Sequence, residues 1–158
     1  MARRVNYNEN DLRLLAQLML AEARGEGSLG EAMVGSVVLN RIYANCAPDF
    51  KGLRDIRSAV LQYIPGTSLP HFEPVLNGTL WSQSPRPTDI QAARNLANGG
   101  IEPRARDSLW FHNPTPGARY RGPCPATMPV APSTQFEFAF KNHCFYRGAP
   151  GYCATFYL

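Results

Sequence analysis

The sequence predicts an α+β protein, mainly α, with a helical core and short strands confined to a loop-rich, aromatic second half. Up to Gly100, apolar residues recur at helical spacing between capping residues and glycines. Beyond Gly100 the chain is rich in aromatic residues, proline and turn signals, and no long helical period continues. The 158 residues, 44% of them hydrophobic, are enough to bury a core. We therefore expect residues 1–158 to form a single domain.

Four helices are expected in the first half, each between a capping pattern and a glycine or proline. In the second half, Ser108–His112 and Phe138–Tyr146 are expected as short strands or extended segments. The expected helices run from Asn8 or Asn10 to about Arg24, from the capping-box pattern Ser28–Glu31 onward, from Leu53 to Tyr63, and from Thr88 to Gly99.

The charge pattern disfavours nucleic acid as a partner. The net charge is +4, but lysine is almost absent and the arginines are scattered singly. No apolar stretch reaches membrane-spanning length, so no membrane span is expected. The N-terminal segment imitates a signal peptide, but Asp11, Arg13 and Gln17 interrupt its apolar run. We interpret it as the first helix of the mature fold, made without a cleavable signal peptide.

The cysteines and histidines form no local metal-binding pattern. The absence of C-x-x-C disfavours a zinc ribbon or a thioredoxin-type site, and no H-E-x-x-H is present. We expect no metal and no cofactor, and we expect His143 to hydrogen-bond a neighbouring carbonyl or carboxylate. For the cysteines, buried thiols and one or two disulfides both remain open. The residues concerned are Cys46, Cys124, Cys144, Cys153, His71, His112 and His143.

Two glutamates lie unexpectedly on the apolar side of the first helix, in the stretch LMLAEARGEG. On a helical wheel, Glu22 and Glu26 fall opposite the solvated stripe that contains Arg13 and Gln17. Loss of hydration there would raise a carboxyl pKa towards neutrality, as a general acid requires. Two alternatives involve no catalysis: Glu22 pairs with Arg41, or Glu26 caps the second helix.

Four segments in order resemble the SleB/CwlJ family of cell-wall hydrolases, the spore-cortex-lytic enzymes. The first is A-E-A-R-G-E at Ala21–Glu26, and the second is N-R at Asn40–Arg41, which ends an apolar helix. The others are SLWFHNP at Ser108–Pro114 and FKNHCFYR at Phe140–Arg147. The contexts of the four cysteines place the chain nearer the CwlJ branch. The resemblance implies a lysozyme-superfamily-like catalytic domain.

The resemblance also implies an activity: cleavage of the peptidoglycan glycan strand between muramic acid and N-acetylglucosamine during spore germination. Family members of the SleB type act as lytic transglycosylases. By the family pattern Glu22 is the general acid/base, and we expect Glu26 to support it rather than act as a nucleophile. Aromatic and polar residues that could hold sugar rings or support the site complete the prediction. They are Arg41, Phe72, Trp110, His112, Asn113 and Tyr146, with Trp81 as a further aromatic candidate.

By the same resemblance, a small spore-coat protein is an expected partner, and the coat and cortex region of the spore is the expected location. Two other functions remain open. One is a catalytically silent peptidoglycan-binding or coat-structural domain, and the other is a zinc-dependent amidase that uses the histidines. Both would act on the same wall polymer.

Overall fold

A helical first half is followed by a three-stranded antiparallel sheet in the computed structural model, which describes residues 3–116, 122–129 and 131–158. The helices are α1 (Glu9–Ala23), α2 (Gly27–Ala44), α3 (Ile56–Val60), α4 (Glu73–Asn77) and α5 (Pro87–Ala97). Short 3-10 turns cover Arg24–Glu26, Pro103–Ala105 and Ala154–Tyr157. The strands are β1 (Trp110–His112), β2 (Thr134–Phe140) and β3 (His143–Gly148).

The first helix begins and ends where the sequence predicts. The Asn8 side chain accepts a hydrogen bond from Asp11 N at 2.8 Å, and the Asp11 carboxylate accepts one from Asn8 N at 3.1 Å. This reciprocal capping box satisfies two backbone donors that a helix start leaves unpaired. Leu12, Leu15 and Leu18 on the buried face are fully enclosed by the core.

The second helix begins differently from the prediction. A 3-10 turn leads from α1 directly into α2, which begins at Gly27, and Glu26 at the N-cap makes no side-chain cap. Ser28 is therefore already inside the first turn, and the predicted capping box at Ser28–Glu31 is wrong. Gly27 has φ +78°, a left-handed conformation that glycine adopts without a steric penalty.

The later helices are shorter than predicted or begin elsewhere. The helix α3 ends at Val60 instead of Tyr63, and the chain then folds back through an isolated bridge between Tyr63 and Pro70. The capping box of α5 joins Arg86 and Asp89, two residues earlier than the predicted pattern at Thr88, because proline occupies the first helical position. The one-turn helix α4 has too little periodicity to be predicted.

The strand order is β1-β3-β2, with both neighbouring pairs antiparallel. The predicted extended segment Phe138–Tyr146 is a hairpin instead, in which Phe140 pairs with His143. The chain reverses at Lys141, which has φ +50°. Trp110 pairs with Tyr146 across β1 and β3, so the sheet joins segments far apart in the sequence. The α+β, mainly helical class is confirmed.

Two disulfides join the C-terminal part of the chain to earlier segments. Cys46, just beyond α2, is bonded to Cys153, and Cys124 is bonded to Cys144 on β3. No free cysteine occurs in the described chain. Within the same described residues, every helix is too short or too polar to cross a bilayer.

Candidate active site

A cleft of about 590 Å³ opens where the C-terminal end of α1 meets the sheet. One wall comes from the α1–α2 junction, a second from the segment around α4, and a third from β1 and the start of β3. Seven of the eight residues predicted for the site line this cleft, and Tyr146 does not. The seven are Glu22, Glu26, Arg41, Phe72, Trp110, His112 and Asn113.

Glu22 lies in the last turn of α1 and faces the cleft, half-buried. Burial raises the pKa of its carboxyl to about 7, because desolvation disfavours the charged form. The positive potential of His143 opposes this shift, while Glu73 and Glu26 add to it. At neutral pH the group is therefore divided between the protonated and ionised forms, as a residue that both donates and accepts a proton requires.

Glu26 is held by His143 from the opposite half of the chain. The two side chains are 5% exposed each, and the two residues are 117 positions apart. The His143 Nδ1 atom makes a close contact with one carboxylate oxygen of Glu26 and lies 3.0 Å from the other. The Lys141 ammonium donates to the backbone carbonyl of Glu26 at 3.0 Å. The prediction that His143 bonds a carboxylate is confirmed, and Glu26 does not cap α2.

The Glu26 side chain packs against Gly30, whose lack of a side chain leaves room for it. A Cβ atom at this position would lie 2.7 Å from the Glu26 Cβ and 3.4 Å from the Phe140 ring. We expect Gly30→Ala to displace Glu26 and to destabilise the fold by about 1–3 kcal/mol, as overpacking does. Urea unfolding measures this change. Gly25→Ala is the matched control, because no atom lies within 4 Å of its Cβ, and equal stability losses in the two variants would contradict the packing argument.

Arg41 is buried in the cleft wall without the Glu22 partner considered from the sequence. Its Nε donates to Leu109 O at 2.7 Å, and its guanidinium lies 5.0 Å from the Phe50 ring centroid and 4.8 Å from that of Phe72. Among the described residues, no ion pair includes Arg41. Burial lowers the pKa of Arg41 to about 9, and nearby Asp49 is the largest influence in the opposite direction.

Two of the aromatic residues that line the cleft are almost fully buried. Phe72 and Trp110 are only 3% exposed, which leaves little ring face for a sugar. The Phe72 ring stacks on Phe111 at 5.6 Å, and the Trp110 ring lies 5.2 Å from that of Phe50. Of the two roles predicted for these residues, holding sugar rings or supporting the site, their burial favours support of the cleft wall.

Two further aromatic candidates, Tyr146 and Trp81, do not line the cleft. Tyr146 is fully buried on the middle strand, and its hydroxyl donates to Pro125 O at 2.9 Å, so it supports the sheet and does not reach the cleft. Trp81 is 53% exposed but does not line the cleft. The half-buried side chains of His112 and Asn113 are better placed for polar contacts with a ligand.

All three histidines line the cleft, although their spacing along the chain matches no metal-binding motif. In the described part of the chain, no three His, Cys, Asp or Glu side chains are arranged to hold one metal ion. Polar cleft residues that the sequence interpretation missed are Asp49, Asn77, Thr79 and Asn142. They lie on turns or short helices, where no periodic pattern or motif marks them.

The fold is that of a mainly helical α+β domain with a cleft where its helices meet a small sheet. A family model described as Cell Wall Hydrolase matches residues 25–146, and the chain belongs to this family. The predicted family is thereby confirmed. The chain is 40% identical over 154 residues to the cell wall hydrolase CwlJ of Bacillus subtilis (strain 168), covering 97% of this chain and 96% of that one.

Two other similarities agree with this assignment. The chain is 29% identical over 108 residues to the spore cortex-lytic enzyme of Bacillus subtilis (strain 168), covering 68% of this chain and 31% of that protein. The fold resembles the catalytic domain of the germination-specific lytic transglycosylase SleB from Bacillus anthracis, with a TM-score of 0.56 and 22% identity. That alignment covers 90% of this chain and 98% of the SleB domain.

Proposed function

We propose that the protein cleaves the glycan strand of peptidoglycan between muramic acid and N-acetylglucosamine, as a lytic transglycosylase with Glu22 as its general acid/base. The observation that carries the proposal is the cleft position of Glu22, where burial raises the carboxyl pKa to about 7. Membership of the cell wall hydrolase family supports the substrate.

The reaction needs one carboxyl group and two proton transfers. Protonated Glu22 donates its proton to the glycosidic oxygen as the bond to the muramic anomeric carbon breaks, so the glucosamine hydroxyl leaves neutral. The resulting carboxylate then takes the proton of the muramic 6-hydroxyl, whose oxygen attacks the same anomeric carbon. The product is a 1,6-anhydro end, and Glu22 is protonated again. No water is consumed, which distinguishes this scheme from the two-carboxylate hydrolysis of glycosidases.

Glu26 has a supporting role in this scheme. Its carboxylate oxygens are engaged by His143 and its side chain is buried, so it is poorly placed to attack an anomeric carbon. Its contact with His143 instead fixes the 3-10 turn next to Glu22 against the sheet. We assign it the task of holding the cleft wall.

Spore cortex peptidoglycan is the proposed natural substrate, and the coat and cortex region of the spore is the proposed location. The support is the similarity to relatives named as CwlJ and as spore cortex-lytic enzymes. A small coat protein as accessory partner stays a prediction from the family resemblance.

Product analysis tests the reaction. Purified cortex or vegetative peptidoglycan is digested with the full chain, with and without a chelator, and the products are identified by mass spectrometry. Anhydro-muropeptides that persist with chelator are expected. Reducing ends without anhydro products would indicate a muramidase. Free stem peptides that disappear when chelator is added would indicate a zinc amidase. Unaltered polymer would indicate a protein that binds the wall without cleaving it.

The rate should fall as the pH rises through about 7. The pKa of Glu22 is raised from 4.5 to about 7 by burial, so the proton that the leaving oxygen needs is present below pH 7 and absent above it. We expect kcat/KM, which reports groups of the free protein, to decrease about tenfold per pH unit above this value. A carboxyl-resolved NMR titration of Glu22 checks the assignment. A value near 4.5, or a rate independent of pH from 6 to 9, would contradict the acid role.

A further inference from the structure

A buried arginine in the cleft wall has an unsatisfied donor. Arg41 is 3% exposed and lines the cleft, and its Nη1 atom has no hydrogen-bond partner in the described chain. The Nε atom is already used by Leu109 O. A buried donor without an acceptor costs stability, so native proteins rarely leave one, and each such group calls for an explanation such as a function in binding. Arg41 Nη1 therefore points to an oxygen acceptor on a ligand.

A second unsatisfied atom lies on the wall of the same cleft. His71 Nε2 is buried and has no partner among the described residues, and the His71 ring lies 6.2 Å from the Phe50 ring that also contacts Arg41. Burial, reinforced by the charge of Arg41, lowers the pKa of His71 to about 3. The imidazole is consequently neutral at physiological pH, with one ring nitrogen as a donor and the other as an acceptor.

The charges around the two atoms favour a neutral ligand group over an anion. Asp49 also lines the cleft, and its carboxylate is the largest acidic influence on Arg41. A carboxylate on the ligand would be repelled by Asp49. It would have Arg41 as its single cationic partner in this pair, because His71 is neutral. A secondary amide instead offers a carbonyl oxygen for a donor and an N–H for an acceptor.

We propose that Arg41 and His71 form a subsite for a secondary amide carried by a sugar of the glycan, with Arg41 Nη1 donating to the amide oxygen and His71 Nε2 accepting from the amide N–H. The inference rests on the proposed function, since it names the substrate group that the same cleft recognises. The amide has two chemical sources: an N-acetyl group, whose oxygen and N–H lie on opposite sides of the amide, or an internal lactam, whose oxygen and N–H lie on the same side. Either source separates such glycans from those that carry only hydroxyls.

Binding without cleavage tests the subsite. The full chain carrying Glu22→Gln is titrated with three probes: N-acetylchitotetraose, cellotetraose, which replaces each acetamido group by a hydroxyl, and δ-valerolactam. NMR of the Arg41 guanidinium and of the Leu109 amide reports contact. We expect N-acetylchitotetraose to bind and to shift both resonances, and affinity to fall about 10- to 100-fold in Arg41→Met, the range for a lost hydrogen bond to a charged group. A smaller loss is expected in His71→Phe.

Arg57→Met is the matched control, because this arginine is exposed on α3 and does not line the cleft. Shifts by δ-valerolactam would support the lactam source, and shifts by the acetylated tetramer alone the N-acetyl source. Equal binding of cellotetraose, or unchanged affinity in folded Arg41→Met and His71→Phe, would overturn the subsite. If Arg41→Met does not fold, His71→Phe decides, since it leaves the bond from Arg41 to Leu109 intact. Binding that depends on Arg41 in a protein that cleaves no glycan would overturn the proposed reaction and leave the subsite standing.

Discussion

Glu22→Gln is expected to lower glycan cleavage by about 10²–10⁴-fold while the protein stays folded, because glutamine keeps the shape of the side chain and cannot supply a proton. Release of anhydro-muropeptides from purified peptidoglycan measures the rate, and circular dichroism confirms the fold. The low rate of the variant should not follow the titration of Glu22, whereas the wild-type rate falls above about pH 7, so the difference between them should be largest below this pH.

Two variants make this result specific. Glu9→Gln alters the same residue type on the same helix but at an exposed position paired with Arg94, so its activity should match the wild type. Glu73→Gln removes a second acid that lines the cleft and influences Glu22. A one-carboxyl reaction predicts that Glu73→Gln loses no more than about tenfold in rate. If Glu73→Gln inactivated the protein as completely as Glu22→Gln, this result would contradict the single-acid scheme.

Replacing His143 by leucine should destabilise the fold by about 3–5 kcal/mol, because it leaves the Glu26 carboxylate buried without its partner. Both side chains are 5% exposed, so water cannot readily take the place of the imidazole. The free energy of unfolding in urea measures the loss. Activity should fall as well, since the turn that carries Glu26 also forms the wall beside Glu22.

A double-mutant cycle identifies the cause of that destabilisation. Glu26→Gln combined with His143→Leu removes the buried charge together with its partner, so the double variant should lose less stability than the sum of the two single variants. His112→Leu serves as the control, because this histidine is only half-buried in the same cleft, and a change within about 1 kcal/mol is expected. Additive losses for Glu26 and His143 would show that the pair is not coupled.

Local features of the first half were predictable from the sequence. The Asn8 cap and the end of α1 follow from residue types that act within one turn, and Glu22 could be placed on the apolar side by periodicity alone. The short helix α4 and the Lys141 turn could not, because too few residues carry their signal. Their conformations depend on what they pack against.

Side-chain accessibility was the least predictable property of the site. Trp110, Phe72 and Tyr146 have the residue types expected of a sugar-binding cleft, yet tertiary contacts enclose all three. The partnership of Glu26 and His143 was foreseen only in part, since the sequence indicated a bond from His143 to some carbonyl or carboxylate. Which carboxylate it is depends on a sheet formed by distant segments.

The distance along the chain between Glu26 and His143 has a consequence for genome surveys. A truncated gene product could retain A-E-A-x-G-E intact and still lack His143, the residue whose imidazole binds the Glu26 carboxylate. Searches that score only the early hexapeptide would count such truncated copies as competent enzymes. Requiring the downstream histidine as well would separate working genes from decayed ones.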